Sequence, residues 1–226
     1  ARALIMAGKV IVNGQKIDKS GALIDAGSDI RILGEDIPYV SRGGLKLEKA
    51  IREFKIDAKG RVAIDIGAST GGFTDCLLQS GAEKVYAIDV GYGQLAWKLR
   101  SDPRIVNIEK TNIRYLDKSL LKEKADIITI DVSFISLTKV IPAVIDLLKP
   151  QGIIIALIKP QFELKRGDVG KGGIVKDEAR HMEAVDKIKD FAITLGLAVQ
   201  GVIESPILGQ KGNREFFICL KYSSPL

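Results

Sequence analysis

From Arg61 onward the chain repeats one pattern: a short run rich in Val and Ile, then a segment of helical spacing, then another apolar run. The runs are VAIDIG, KVYAIDV, IVNIEK, DIITIDV, GIIIALIKP, LAVQGVIES and EFFICLKY. Continuous apolar runs separated by helices predict parallel strands covered on both faces. Only SPILGQKGNR separates the last two runs, so the final strand is expected to return antiparallel. The expected fold is α/β, a doubly wound seven-stranded mixed sheet whose active edge lies at the carboxyl ends of its strands.

The 226 residues leave room for a small module before this domain. Arg2 to Ala7 has helical spacing, VIVNGQKI carries the Asn13-Gly14 hairpin signal, and Asp29 to Leu33 reads as another strand. Gly34 to Val40, with Pro38, reads as the linker, and a helix is expected from about Gly44 to Phe54. The expected organisation is a module over 1–36, a linker over 37–43 and the sheet domain over 44–226. ARALIMAG reads as entering an amphipathic helix partway, so further residues are expected before it.

Composition narrows the chemistry. Thirty-four Lys and Arg against twenty-eight Asp and Glu give +6, a mild excess compatible with a polyanionic partner. Cys76 and Cys219 lie far apart within apolar stretches, as buried free thiols of a reducing cytoplasm would. The single histidine, His181, has no Cys or His at ligand spacing and reads as a helix-surface residue, so neither a metal site nor a His triad is expected. No apolar run approaches bilayer length; a soluble, cytoplasmic protein without membrane attachment is expected. The oligomeric state is left open.

The turn after the first large strand, DIGASTGGF, holds Gly67, Gly71 and Gly72 where backbone must approach a ligand closely. Its spacing differs from G-x-G-x-x-G and it lacks a P-loop lysine, which argues against NAD and ATP. An acid before the turn, Asp65, suits a cationic amino group, and Asp89 at the end of the next strand suits a ribose diol. S-adenosylmethionine carries both. Ala68, Ser69, Phe73 and Val90 belong to the same two turns, and Asn112-Ile113 offers an amide and an apolar side chain for adenine. A purely structural turn is the alternative.

Lys46, Asp131, Lys159 and Glu215 stand at strand ends or beside the sheet, and Asp131 and Lys159 should border the cleft. For either residue alone, a structural ion pair is the alternative. A lysine walled by apolar residues and fixed by a carboxylate can take the proton of a ribose 2′-hydroxyl as it attacks a methyl group. Cytosine-C5 chemistry would instead need a nucleophilic cysteine, and amino methylation an Asn/Asp-Pro-Pro-aromatic element where Asp131-Val-Ser-Phe stands.

The segments SRGGLKLEKA, DIGASTGGFTD, IDVSFISL, LIKPQFE and GNREFF resemble the TlyA (hemolysin A) branch of the FtsJ-type ribosomal RNA methyltransferases. The resemblance implies a class I, Rossmann-like methyltransferase that uses S-adenosylmethionine and acts on ribosomal RNA or ribosomal subunits. It also implies a catalytic tetrad of Lys46, Asp131, Lys159 and Glu215, with Lys159 as proton acceptor. Ser69-Thr70 stands where FtsJ enzymes proper usually have Ala-Pro, which bears on the RNA target rather than the chemistry. The N-terminal segment resembles an alpha-L RNA-binding motif lacking its first helix. Arg42 is expected at the RNA, as are Lys165, Arg166 and Lys171 in a glycine-rich basic stretch, Lys159 to Lys176, expected to be a mobile loop. Methylation of a base, a non-catalytic RNA binder and a hemolysin are the alternatives; no amphipathic insertion segment supports lysis.

Overall fold

The computed structural model describes residues 2–6, 9–32 and 37–222. The expected linker residues 34–36, and Ala7 and Leu33 at the ends of two expected elements, lie outside the described residues. Two compact units divide the chain, Ala1–Pro38 and Tyr39–Leu226.

The first unit holds α1 (Arg2–Met6) and the strands β1 (Val10–Val12), β2 (Gln15–Ile17) and β3 (Ile30–Ile32), in sheet order β2-β1-β3. Both pairings are antiparallel, and Asn13-Gly14 makes the β1–β2 turn as expected. Asn13 also fastens β3: its Oδ1 accepts from the Asp29 amide at 2.9 Å, and its own amide donates to the Asp29 carbonyl at 2.8 Å.

The second unit runs α2 (Gly43–Glu53), β4 (Val62–Ile66), α3 (Gly72–Gln79), β5 (Lys84–Ile88), α4 (Trp97–Arg100) and β6 (Ile105–Ile108). It continues with β7 (Ala125–Ile130), α5 (Ile141–Val144), β8 (Leu148–Ile158), α6 (Pro160–Glu163), α7 (Glu178–Thr194), β9 (Leu197–Glu204) and β10 (Phe216–Tyr222). The seven strands lie in the order β6-β5-β4-β7-β8-β10-β9. Neighbours from β6 through β8 are parallel, and β10 is antiparallel to both β8 and β9. The chain moves outward from β4 to β6 and then returns to β7, so the order reverses between β4 and β7. In an open α/β sheet that is where a crevice opens beyond the strand carboxyl ends.

Both faces of the sheet are apolar because successive residues of a strand point to opposite sides. On one side Ile64, Ile128, Ile130 and Ile154 pack with Ile141 of α5 and with Val185 and Ile188 of α7. On the other, Ala63, Val85, Ile127 and Phe217 pack with Leu47 of α2, Phe73 and Leu77 of α3 and Leu99 of α4.

Three expectations are corrected. Tyr39 to Gly43 belong to the sheet domain rather than a free linker: the Val40 amide donates to Asp75 Oδ2 at 2.8 Å, and the Tyr39 hydroxyl to Glu48 at 3.1 Å. No α-helix joins β6 to β7; two 3-10 turns do, capped by the Asn112 and Asp117 side chains. His181 is buried, with Nε2 2.9 Å from the Val175 carbonyl and its ring against Phe216. In the basic stretch after Lys159, Gly170 and Ile174 form a β-bridge, and the Asn213 side chain accepts from the Val175 amide and donates to the Gly173 carbonyl, each at 2.9 Å.

Cys76 and Cys219 are buried free thiols. Burial pushes them up to about 12 and about 11 respectively, so both stay protonated at neutral pH. Among the described residues no helix is long and apolar enough to cross a membrane, and no group of three or more His, Cys, Asp and Glu could hold a metal ion.

Phe217, the second residue of β10, is fully buried, with its ring 6.0 Å from that of Phe73. Phe217→Ala leaves a cavity between the sheet and α3 and costs about 3–5 kcal/mol of unfolding free energy, measurable by urea denaturation.

Candidate active site

The crevice at the β4–β7 reversal is a cleft of ≈ 1110 Å³. Its floor is the end of β4, Ile66 and Gly67; the turn after β5 supplies Asp89 and Val90, and the turn after β6 supplies Asn112 and Ile113. Asp131, Val132 and Phe134, which follow β7, close the opposite wall. A second recess of ≈ 360 Å³ is lined by Arg42, Lys46, Ala68, Gly72, Phe73 and Leu208, and shares Gly67, Ser69 and Asp131 with the cleft.

Gly67 leaves no room for a side chain. Its φ is +82°, and a Cβ built there would overlap the Asp131 carbonyl oxygen. The Gly67 amide donates to the Ile88 carbonyl, and the Asp131 amide to the Ile66 carbonyl, each at 2.9 Å. Three strand ends are thereby drawn to one level. Gly71, also at positive φ, forms the N-cap of α3, and Phe73 is buried behind it.

Asp89 is held by the turns on either side: Oδ2 accepts from the Ser69 amide at 2.8 Å and Oδ1 from the Gly91 amide at 2.6 Å. A carboxylate has about four acceptor positions, so about two remain for a diol. Asn112 lines the cleft, with its Oδ1 accepting from the Arg114 amide at 3.1 Å, and Ile113 presents an apolar surface beside it. These features fit a nucleoside: an acceptor for a ribose, an apolar wall and an amide for a base.

Asp65 does not meet the cleft. It is fully buried, and its oxygens accept from Thr74 Oγ1 at 2.7 Å and Thr129 Oγ1 at 2.9 Å. The expected contact with a ligand's amino group is therefore not made by this carboxylate; it ties β4 to α3 and β7 beneath the turn. Burial raises Asp65 to about 6, although both hydroxyls oppose the shift.

The four charged residues arrive as two ion pairs. Lys159, one residue beyond β8, lies 2.5 Å from Asp131 Oδ1, one residue beyond β7, and also donates to Ser133 Oγ at 3.1 Å. Lys46 of α2 donates to Glu215 Oε2 at 2.6 Å, with Glu215 buried and Lys46 nearly so. Asp131 and Lys46 line the same recess. A Cβ on Gly209 would overlap Glu215 Oε1, so the β9–β10 loop passes Glu215 only because residue 209 lacks a side chain.

Of the expected RNA contacts, Arg42 lines the recess, while Lys165 and Lys171 are exposed but border neither cavity. The side chain of Arg166 lies outside what the structure describes. Sequence reasoning missed Ser133, Gln94, Arg114 and Lys139 at the cleft. Their only signal is position, two or more residues past a strand end, which any loop residue shares.

Comparison with known proteins places this geometry. The family model for FtsJ-like methyltransferase matches residues 39–222, beginning where the second compact unit begins. The YqxC protein of Bacillus subtilis is 48% identical over 223 residues, covering 98% of this chain and 79% of its own. The 16S/23S rRNA (cytidine-2'-O)-methyltransferase TlyA of Mycobacterium tuberculosis is 42% identical over 222 residues, covering 98% and 83%. A solved protein from Streptococcus thermophilus superimposes with a TM-score of 0.85 at 44% identity, over 99% of this chain and 82% of that one.

Two outcomes follow from the turn. Gly67→Ala forces residue 67 out of positive φ or displaces Asp131; nucleoside affinity, read by titration calorimetry, falls at least about tenfold, with a lowered melting temperature. An aspartate raised to about 6 on folding, from about 3.9 in the unfolded chain, makes the folded state bind the extra proton more tightly. Its contribution to stability is therefore full below about 3.9 and is lost as pH rises through about 6. Melting curves of Asp65→Asn should lack this slope when compared with the parent between about pH 7 and pH 4.

Proposed function

The chain belongs to the FtsJ-like methyltransferase family, and from that premise we propose that it methylates a ribose 2′-hydroxyl of ribosomal RNA, using S-adenosylmethionine. The observation that carries the reading is the Lys159–Asp131 pair, whose Asp131 lines both the nucleoside cleft and the adjoining recess, with Lys46 of the Lys46–Glu215 pair on that recess. M. tuberculosis TlyA, at 42% identity, is named as a cytidine-2'-O-methyltransferase of 16S and 23S rRNA, which supports the same nucleophile here.

Asp89 would accept the ribose hydroxyls of the donor, with Asn112 and Ile113 about its adenine. Gly67, Ala68, Ser69, Gly71 and Gly72 would keep backbone close to its methionyl part; Phe73 and Val90 would shape the turns. Asp65 serves this site from below, by holding the turn to α3 and β7. When bound, S-adenosylmethionine supplies an electrophilic methyl group.

A ribose hydroxyl attacks well only as it loses its proton, so a base must stand beside it. Lys159 would take that proton. Asp131 Oδ1 and Ser133 Oγ fix its amine from two sides, which limits the directions in which it can accept. Lys46, anchored by buried Glu215, would sit across the recess and hold the substrate ribose or its phosphate. Arg42, in the same recess, would meet the RNA backbone, with Lys165, Arg166 and Lys171 further out. The unit Ala1–Pro38, outside the matched family domain, would dock the RNA as an alpha-L-like module.

The test is transfer of labelled methyl from S-adenosylmethionine to purified ribosomal subunits, followed by nuclease digestion. Label is expected on ribose, and Lys159→Ala is expected to lower the rate at least about 100-fold while donor affinity stays within about twofold. Label on a base would overturn the ribose assignment, and retained activity in Lys159→Ala would overturn the assignment of the base.

A further inference from the structure

In β7 and β8 the parallel partners are Ile127 and Ile153, Ile128 and Ile154, Thr129 and Ile155, and Ile130 and Ala156, a constant offset of 26 residues. The backbone ladder ends there, yet the two loops beyond it do not part. Lys159 donates to Ser133, again 26 residues apart, and Asp131 pairs with Lys159. Next, the Phe134 ring lies 5.0 Å from that of Phe162. Last, the Glu163 carboxylate accepts from the Leu137 amide at 2.8 Å, at the same offset of 26, and from Ser136 Oγ at 2.5 Å. Side chains thus keep the two loops joined for a further turn of chain on each side, two of the contacts at the strand offset of 26 and the others one or two residues from it.

Glu163 closes this series. It is 5% exposed, an unusual place for an acid, and its cation comes from a third element: Lys187 of α7 donates both to its carboxylate and to its main-chain carbonyl. A buried carboxylate meets its desolvation cost only where such donors satisfy it, so the cluster is ordered or strongly destabilising, with little between. It bridges the loop that carries Asp131 and Ser133 to the segment that carries Lys159.

We propose that Glu163 is a positioning residue for the methyl-transfer reaction: it clamps the loops after β7 and β8 in register, and so fixes the angle and distance at which Lys159 faces the substrate hydroxyl. It touches neither RNA nor donor in this role. The inference rests on Lys159 being the proton acceptor. A small misplacement of a catalytic group costs up to about 100-fold in rate, so a clamp one turn away has leverage on turnover without sharing in binding.

The experiment uses the full chain, ribosomal subunits and labelled S-adenosylmethionine. Parent activity together with its loss in Lys159→Ala establishes the underlying reading; if those two are equally active or both silent, it is that reading which fails. With it standing, Glu163→Gln is expected to lower kcat by about 10–100-fold, leaving donor Kd and RNA KM within about twofold. Ser136→Ala removes one contact of the clamp and is expected to lower kcat less, and the double variant no further than Glu163→Gln alone, as coupled residues behave. Parental kcat in Glu163→Gln, a loss seen equally in donor Kd, or strictly additive losses would each overturn the proposal. Should Glu163→Gln fail to fold, Ser136→Ala and Lys187→Met carry the test, and parental kcat in both overturns it.

Discussion

The buried carboxylate of Asp65 is the interaction on which the geometry of the cleft depends. It joins β4 to the first turn of α3 through Thr74 and to β7 through Thr129, in a place where water cannot substitute for either hydroxyl. The glycine turn is suspended between these two attachments. Its entry is fixed because Asp65 precedes Gly67 by two residues, and its exit because Thr74 follows Gly72 by two. With turn and β7 both held, the Asp131 carbonyl can pack against Gly67 and the Asp131 side chain can face Lys159.

This makes the site an arrangement of strand ends more than of loops. Asp89, Asp131 and Lys159 each stand one residue past the last residue of a strand, where the sheet's hydrogen bonds limit backbone motion. Lys46 is the exception, carried on α2, and its helix is applied to the sheet through Leu47 and Ala50. Asp131 and Lys159 thus inherit their spacing from the separation of the neighbouring strands β7 and β8, about 4.7–4.9 Å, with side-chain pairing as a refinement. Catalytic groups held on such elements need less reorganisation than groups on long loops.

Much of this was legible in the sequence, and the reasons differ by element. The seven strands were readable because both faces of the sheet are covered, which makes each strand a nearly continuous apolar run. The final hairpin was readable because so short a segment as SPILGQKGNR cannot make a crossover between parallel strands. Gly67 and Asp89 were readable through their places in a doubly wound fold. Asp65 was misplaced because one-dimensional spacing cannot tell a carboxylate facing a cleft from one facing α3. His181 was misread for a similar cause: its neighbours in sequence are polar, while Phe216 and Val175, which bury it, are distant or belong to another segment. Glu163 and Ser136 gave no signal, since their meaning lies in a register between two strands that only pairing reveals.

The order of the strands has a consequence for how the protein comes into being on the ribosome. The cleft is lined by residues between 66 and 162, so all of its wall residues have been synthesised once α6 is reached. The Lys46–Glu215 pair spans 169 residues, and β10, which begins directly after Glu215, lies between β8 and a strand made before it. β9 therefore emerges without its neighbour in the sheet; it waits for β10 and docks with it. A chain synthesised as far as α6 therefore already carries every residue of the cleft wall, whereas the Lys46–Glu215 pair waits for the segment between β9 and β10.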